Sequence, residues 1–559
     1  MIRTKLRRGV LVTAVIGVML ASTGSALAAD TPGLGNEATF TGRGGLVIKR
    51  LTAAVQMTKD EKGARAFTGP TSMLADPDNP RIIVAATAEL RTRVCYLARS
   101  NDAGHTWRIL PATPALGSYQ ACQNGNAGVA LASLAWGRNH TLYYGLNGYG
   151  AGEGPRDGHA SILLARSSDL GDTWSTTVVD NNRGKVGVAP TDLGVTGLAV
   201  DTSGPRDTVY VGYTQSFPKA PTDSPLQNPM VAVAASTDGG VSFAPAVNIN
   251  DFSHVTQTIG GQSVPLLMES FFGAPFLTVH GGVIEAVGGA QLPFNVRLPG
   301  TSYYAMPQMV ARSTDRGKTW SVAPLGPQVF TGAGSQTGIG WTAKGGPQGT
   351  FLATYAATPA SADSSGVESV VVLRSTDMGQ TWSEPVVLND DNPDQQSTHF
   401  YPQLGVAPNG RVDIVWESSG QQHDYHFQAN YTYSSDGGAT WSHSVQVTDQ
   451  PIDFGLGVSF NSDIRQPPGV ASANQYAAFG WADTRLGNAT NQNQDDFGDV
   501  AQFSPLPATT STLLPVLAAI FGGLAAAGLI ILLLSLARRR RARAGQSEVG
   551  ERESVGAMD

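Results

Sequence analysis

The chain has 559 residues, of which 41% are hydrophobic and 14% are charged, with a formal net charge of -7 at pH 7. This length can bury a large core, and 66 Gly and 33 Pro favour many short strands joined by turns. Without its basic ends, the chain over residues 30–503 carries a charge of about -13, so a basic footprint for nucleic acid is missing. We therefore expect an all-β protein with no nucleic-acid partner.

The first 29 residues have the pattern of a signal peptide. Four basic residues precede an apolar run over residues 10–21, and Ala26 and Ala28 offer a small-residue cleavage site. Residues 1–29 are therefore expected to be removed on export, which places the following domain, residues 30–503, outside the cytoplasm.

A short phrase of the form S-x-D-x-G-x-[TS]-[WF] occurs six times, with its aspartates 59 to 77 residues apart. Asp can accept hydrogen bonds from backbone N–H groups of the next residues, Gly permits positive φ, and the aromatic residue resumes a strand. The phrase predicts a turn that clasps two strands. The six aspartates, expected to be structural, are Asp102, Asp169, Asp238, Asp315, Asp377 and Asp436.

The phrase resembles the Asp-box, or BNR repeat, of sialidase-like β-propellers. This resemblance implies that each box closes the turn between the third and fourth strands of a blade, on the rim away from the ligand-binding mouth. It also implies a glycan-related function, and an exo-sialidase type of glycoside hydrolase if the protein is an enzyme.

Seven two-strand hairpins accompany the six boxes. Their turns lie within residues 74–84, 136–142, 200–209, 279–283, 342–351, 406–415 and 470–478. The last unit, from about residue 463 to 504, supplies three strands, and residues 44–51 near the mature N-terminus form a β segment with no other place. Pairing these two ends would close a ring and protect its edge strands. We predict seven blades, the alternative being the six-bladed propeller of enzymatic sialidases.

The two cysteines, Cys95 and Cys122, lie in the exported region, where a disulfide can persist. A bridge between them would close a loop of about 28 residues and stabilise the fold by about 3 kcal/mol. Two separate free thiols are the alternative.

Candidate catalytic residues follow from the needs of a sialidase: arginines for the substrate carboxylate, a Tyr nucleophile with a Glu, and an acidic general acid/base. Loop position, not a matching motif, selects them. The candidates are Arg91, Arg465 and Arg485 as arginines, Tyr401 with Glu417 as the nucleophile pair, and Asp463 or Asp483 as the acid. The Arg-Ile-Pro phrase of true sialidases is absent, and residues 68–73 stand in its place.

Two acidic loops could supply oxygen ligands for Ca²⁺, although neither has an EF-hand pattern and solvated turns are the alternative. They contain Asp390, Asp391 and Asp394, and Asp495, Asp496 and Asp499. The sequence has no P-loop, no dinucleotide-binding fingerprint, no G-x-S-x-G motif and no His pair at zinc spacing. No other cofactor is expected.

The C-terminal end predicts a membrane anchor. After a linker over residues 504–512, residues 513–537 run without a charge, long enough to span a bilayer, and an arginine cluster opens the cytoplasmic tail over residues 538–559. Leu506-Pro507-Ala508-Thr509 resembles a sortase signal, which makes attachment to the cell wall an alternative.

The sequence thus favours a bacterial cell-surface propeller whose mouth recognises a glycan or another surface polymer. A sialidase-type glycoside hydrolase with a displaced catalytic set is one alternative. A scaffold for protein–protein interaction is another.

Overall fold

The structure is a computed structural model that divides into two units, Met1–Ser504 and Pro505–Asp559. The described residues are 46–50, 54–59, 63, 65–92, 94–117, 133–148, 161–181, 193–215, 230–249, 255–259, 262–265, 276–289, 308–325, 337–357, 368–390, 397–420, 426–457, 467–505 and 530–541.

The first unit is all-β and forms a seven-bladed β-propeller, as predicted from the repeats. Each of blades 1 to 6 is an antiparallel sheet whose four main strands follow one another in chain order. Blade 1 contains Ser72–Ala75, Ile83–Glu89, Val94–Ser100 and Arg108–Pro111; blade 2 contains Ser133–Trp136, Leu142–Gly148, Ser161–Ser167 and Ser175–Asn181; blade 3 contains Leu193–Asp201, Thr208–Gln215, Met230–Ser236 and Val247–Asn248. Blade 4 contains Phe276–His280, Val283–Gly289, Gln308–Ser313 and Ser321–Pro324; blade 5 contains Thr337–Thr342, Thr350–Ala357, Ser369–Ser375 and Val386–Val387; blade 6 contains Thr398–Val406, Val412–Ser419, His426–Ser434 and Val445–Gln446.

Blade 7 contains strands from both ends of the propeller. Gly469–Ser472, Tyr476–Asp483 and Asp495–Pro505 provide three strands, and Leu46–Arg50 pairs with the outer one of these. A second N-terminal strand, Val55–Gln56, pairs with the same strand. The predicted ring closure is confirmed.

A few short elements lie outside the four-strand pattern. They are the two-stranded hairpin of Thr256–Ile259 and Gln262–Pro265, the strand Ile452–Asp453 on blade 6, and the 3-10 turns Thr113–Leu116, Arg138–His140 and Phe454–Leu456. In the second unit, residues 530–541 form a helix. None of the helices in the described ranges combines the length and apolar character needed to cross a membrane. Most of the predicted span, residues 513–529, lies outside the described residues.

The hydrophobic core lies between neighbouring blades. All eight residues of Thr350–Ala357, the second strand of blade 5, are buried, because both faces of an inner strand pack on adjacent sheets. Between blades 6 and 7 the packing is aromatic, with the Tyr431 and Phe479 ring centroids 4.7 Å apart. These interfaces hold the blades in a ring and fix the positions of the loops at both rims.

Cys95 in the third strand of blade 1 forms a disulfide. The other cysteine of the chain, Cys122, lies outside the described residues.

Candidate functional site

The six turns that contain the repeated phrase, called Asp-box turns for their resemblance to that repeat, share one hydrogen-bonding pattern. Each box serine donates its hydroxyl to Oδ1 of the aspartate at 2.7–2.9 Å. The box glycine donates its N–H to the same serine oxygen at 2.8–2.9 Å. The Thr or Ser four residues after the aspartate donates to Oδ2 at 2.5–2.7 Å. Because both carboxylate oxygens are occupied within the turn, these aspartates act as clasps.

The boxes define two rims of the propeller. Each box joins the third strand of a blade to the fourth, at the end where the hairpin turn joins the first strand to the second. We call this end the clasp rim. At the other end, the mouth, first strands begin and second strands end, and Arg91, Tyr401, Glu417, Asp483 and Arg485 lie there. Two other candidates, Asp463 and Arg465, lie outside the described residues.

The arginines described at the mouth bind protein groups. Arg91 Nη2 donates to the carbonyl oxygens of Asn491 and Gln492 at 2.8 and 2.9 Å. Arg65, near the seam of blades 7 and 1, forms an ion pair with Asp495 at 2.9 Å.

Arg485 is held more extensively. Its Nη2 lies 2.6 Å from an oxygen of Asp483 and 2.6 Å from one of Asp449, and its guanidinium lies over the Phe497 ring at 4.3 Å. Burial opposes the charge on Arg485, but the two aspartates outweigh it and raise its pKa. Asp483 also accepts the indole N–H of Trp481 at 3.0 Å. The predicted acid and the predicted arginine thus form one structural ion pair.

Tyr401 and Glu417 lie on adjacent strands of blade 6. Phe400 is directly opposite Glu417, and the register shifts at Tyr401 before pairing resumes at Gln403. Tyr401 has φ 54° at this bulge, a left-handed conformation that is strained for a tyrosine. Both side chains are buried. The predicted pair is therefore close along the sheet, at a point of backbone strain.

A connected polar network lies beside this bulge, on the face of blade 6 that packs towards blade 5. His399 Nδ1 lies 2.7 Å from the Ser418 hydroxyl and accepts the indole N–H of Trp416 at 3.2 Å. Asn430 Nδ2 donates to the Ser418 oxygen at 2.7 Å. Trp416, Ser418 and Asn430 of this network are not evident from the sequence, because the alternation of apolar and polar residues along the second and third strands is typical of ordinary core positions.

At the seam of blades 7 and 1, Asp496 is completely buried. Its Oδ1 accepts the Gly69 N–H at 2.9 Å. Burial raises the pKa of the Asp496 carboxyl to about 7, although the nearby Thr87 hydroxyl and the Gly69 N–H favour its charged form. Asp495, the neighbouring residue, bonds to Arg65 and Thr58 instead.

The structure does not bring the predicted calcium ligands together within its described part. Asp390 contacts His443 and Ser444, while Asp391 and Asp394 lie outside the described residues. The group with metal-binding spacing among the described residues is a different one, at the clasp rim, formed by Asp76, Asp78 and His140.

In that group His140 Nδ1 lies 2.7 Å from Asp76 Oδ2. Asp76 also accepts the N–H groups of Asp78 and Asn79 at 2.9 and 3.3 Å. These contacts link the hairpin turns of blades 1 and 2 and account for the cluster without a metal ion. The calcium prediction itself stays a prediction.

No known family model matches the chain, and neither does any curated protein. Solved structures that match parts of this chain at low sequence identity include an arabinofuranosidase, a sialidase and a polysaccharide lyase. The GH93 α-L-arabinofuranosidase of Fusarium graminearum in complex with arabinobiose is 13% identical, with a TM-score of 0.42 over 71% of this chain and 98% of that one. A Hadza microbial sialidase is 12% identical, with a TM-score of 0.40 over 77% of this chain and 75% of that one. The PL25 ulvan lyase, bound to a GlcA–Rha3S saccharide, is 12% identical, with a TM-score of 0.41 over 78% of this chain and 94% of that one.

Proposed function

We propose that the protein is a cell-surface β-propeller whose mouth binds a glycan or another surface polymer. The observation that carries the proposal is the strained bulge at Tyr401, which adjoins the network of His399, Ser418 and Asn430 at the mouth end of blade 6. Strained backbone and β-bulges are concentrated at functional sites, because they persist only where the surrounding structure holds them in place. Binding is favoured over sialidase chemistry since Arg91 and Arg485 bind protein groups in place of a substrate carboxylate.

We further propose that residues 513–537 anchor the propeller in the cell membrane, with the mouth available to extracellular ligands. Support comes from the signal-like N-terminus, the uncharged stretch and the arginine cluster that follows it. Protease treatment of intact cells would degrade an exposed propeller and spare the tail. A propeller that is degraded only after lysis would contradict this topology.

A fragment of residues 30–505 suits the binding test, since it contains all strands of the ring. On an array of glycans and bacterial surface polymers, we expect retention of at least one ligand. Tyr401→Ala should weaken this binding about tenfold, because the ring that supports the bulge is lost, whereas Tyr401→Phe keeps the ring. Lys318→Ala, an exposed change on the clasp rim, is the matched control. Binding that Tyr401→Ala leaves unchanged would exclude this part of the mouth.

The adjacency of Tyr401 and Glu417 favours a second candidate, a sialidase-type glycoside hydrolase. The same variants separate the two functions when a fluorogenic sialoside is added. In an enzyme, Tyr401→Phe abolishes turnover while binding persists, because the nucleophilic oxygen is removed and the ring is kept. In a binding protein, the wild type itself shows no turnover.

A further inference from the structure

A polar pocket lies on the clasp rim, between blades 2 and 3. It has a volume of about 510 Å³, within the range of small-molecule sites. Three arginines line it, together with hydroxyl groups: Arg138, Arg166, Arg206, Thr141 and Ser168. This concentration of positive charge is unexpected in a domain whose overall charge is about -13.

Two carboxylates also border the pocket, but both are committed to local structure. Asp207 accepts the backbone N–H of Arg138 at 3.1 Å and the Tyr143 hydroxyl at 3.0 Å, and the Arg138 side chain lies 3.6 Å from it. Asp238 is the aspartate of the blade 3 clasp, and Ser236 and Ser242 donate to its oxygens at 2.7 and 2.6 Å. Neither carboxylate pairs with Arg166 or Arg206 in the described contacts.

Two guanidinium groups therefore have no acidic partner among the residues that the structure describes. Arg166 donates to neutral acceptors, the Gly239 carbonyl at 3.1 Å and the Ser175 hydroxyl at 3.2 Å, and its buried Nε makes no hydrogen bond to the described part of the chain. Arg206 is exposed, and its side chain has no hydrogen bond or ion pair with a described residue. A pocket that holds such groups attracts an anion.

The equivalent pocket between blades 4 and 5 provides a comparison. It is of similar size, about 490 Å³, and has one arginine in its lining, Arg312. Arg312 Nε donates to the Met378 carbonyl at 2.8 Å and lies 3.3 Å from a carboxyl oxygen of Glu285. Trp382 and several apolar side chains form much of the remaining wall. The arginine cluster is thus a property of the pocket between blades 2 and 3 and not of every blade boundary.

We propose that the pocket between blades 2 and 3 is a second ligand site, which binds an oxyanion carried by a hydroxyl-rich molecule. Guanidinium groups match the planar geometry of carboxylate and phosphate oxygens and can bind them with two hydrogen bonds. Thr141 and Ser168 add hydroxyl groups that suit a sugar or polyol attached to the anion. The ligand class is an acidic sugar or a polyol phosphate, and the site lies at the opposite rim from the mouth.

The test uses the full-length chain in isothermal titration calorimetry with glucuronate, glycerol 1-phosphate and glucose. We expect saturable binding of at least one anion, weakened by added salt, and none of glucose. Arg206→Ala should weaken the anion about tenfold, since a charge-assisted hydrogen bond is removed. Arg81→Ala is the matched control, because Arg81 is also exposed and also follows a proline in a hairpin turn on the clasp rim.

Stronger binding of glucuronate assigns the site to acidic sugars, and stronger binding of glycerol 1-phosphate assigns it to polyol phosphates. The proposal is overturned if neither anion saturates, if glucose binds as tightly, or if Arg81→Ala and Arg206→Ala weaken binding equally. Mouth variants such as Tyr401→Ala should leave this binding unchanged. The two sites can therefore fail independently.

Discussion

Replacing Arg411 with Met should destabilise the propeller strongly, because Arg411 ties blade 6 to blade 7 and is almost completely buried. It forms a two-pronged ion pair with Asp413 at 2.8 and 2.9 Å. It also donates to the carbonyl oxygens of Ala473 and Tyr476 in blade 7, at 2.9 and 2.8 Å, and its guanidinium lies 3.8 Å from the centre of the Phe503 ring. Burial opposes its charge, but Asp413 outweighs this and raises the pKa of Arg411.

The magnitude follows from what remains after the change. In Arg411→Met, Asp413 stays completely buried and keeps the Tyr431 hydroxyl as a donor at 2.6 Å, so its charge is no longer compensated. Breaking one side of a buried ion pair costs about 3–5 kcal/mol. Chemical denaturation would measure this loss in the free energy of unfolding.

The double variant Arg411→Met/Asp413→Leu is the decisive control. It removes the stranded carboxylate, so we expect it to be more stable than Arg411→Met alone by about 2 kcal/mol. The reasoning is refuted if Arg411→Met costs less than about 1 kcal/mol, or if the two substitutions add without coupling.

Three further predictions concern stability. Hydrogen bonds lower the pKa of the Asp-box carboxyls, to about 2 for Asp315. The stability that these carboxylates contribute should therefore be complete above about pH 4 and lost as the pH falls towards 2. Thermal unfolding at pH 5 and 2.5 would measure this loss, and equal unfolding midpoints at the two pH values would contradict it. Burial raises the pKa of Glu285 to about 9, so this carboxyl holds its proton more tightly in the folded protein than in the unfolded chain. The free energy of unfolding should therefore decline as the pH rises from about 4.5 to 9, and Glu285→Gln should remove that decline. A decline over this pH range that persists in Glu285→Gln would count against the prediction. Cys95→Ser should lower the free energy of unfolding by about 3 kcal/mol, because the disulfide that closes a loop in the unfolded chain is lost. A denaturation midpoint equal to that of the oxidised wild type would refute this value.

The fold was predictable because its local signals repeat. Each Asp-box carries its own turn chemistry, and seven hairpins against six boxes left one blade a strand short, which pointed to the N-terminal segment. The short strand Val55–Gln56 and the hairpin that begins at Thr256 have no repeated signal and were not predicted.

The mouth was harder to predict, because loop position does not reveal what a side chain binds. Arg91 reaches carbonyl groups 400 residues away in the chain, and Arg485 is held by Asp449 from blade 6. Such partners depend on the closed ring and not on neighbouring residues. The arginines of the pocket between blades 2 and 3 were missed for a related reason, since Arg166 and Arg206 come from different blades. They meet at the clasp rim, to which the resemblance to sialidase-like propellers assigns a structural role alone.

Hydrogen–deuterium exchange of the segment that spans Leu46–Arg50 and Val55–Gln56 tests the closed ring most directly. Both strands pair with Asp495–Pro505, so their paired amides should exchange much more slowly than those of an unstructured segment. Removing residues 30–57 should then expose the edge of Asp495–Pro505 and accelerate exchange there. Rapid exchange of the N-terminal strands in the intact chain, at the rate of an unstructured segment, would contradict closure of the propeller by its N-terminus.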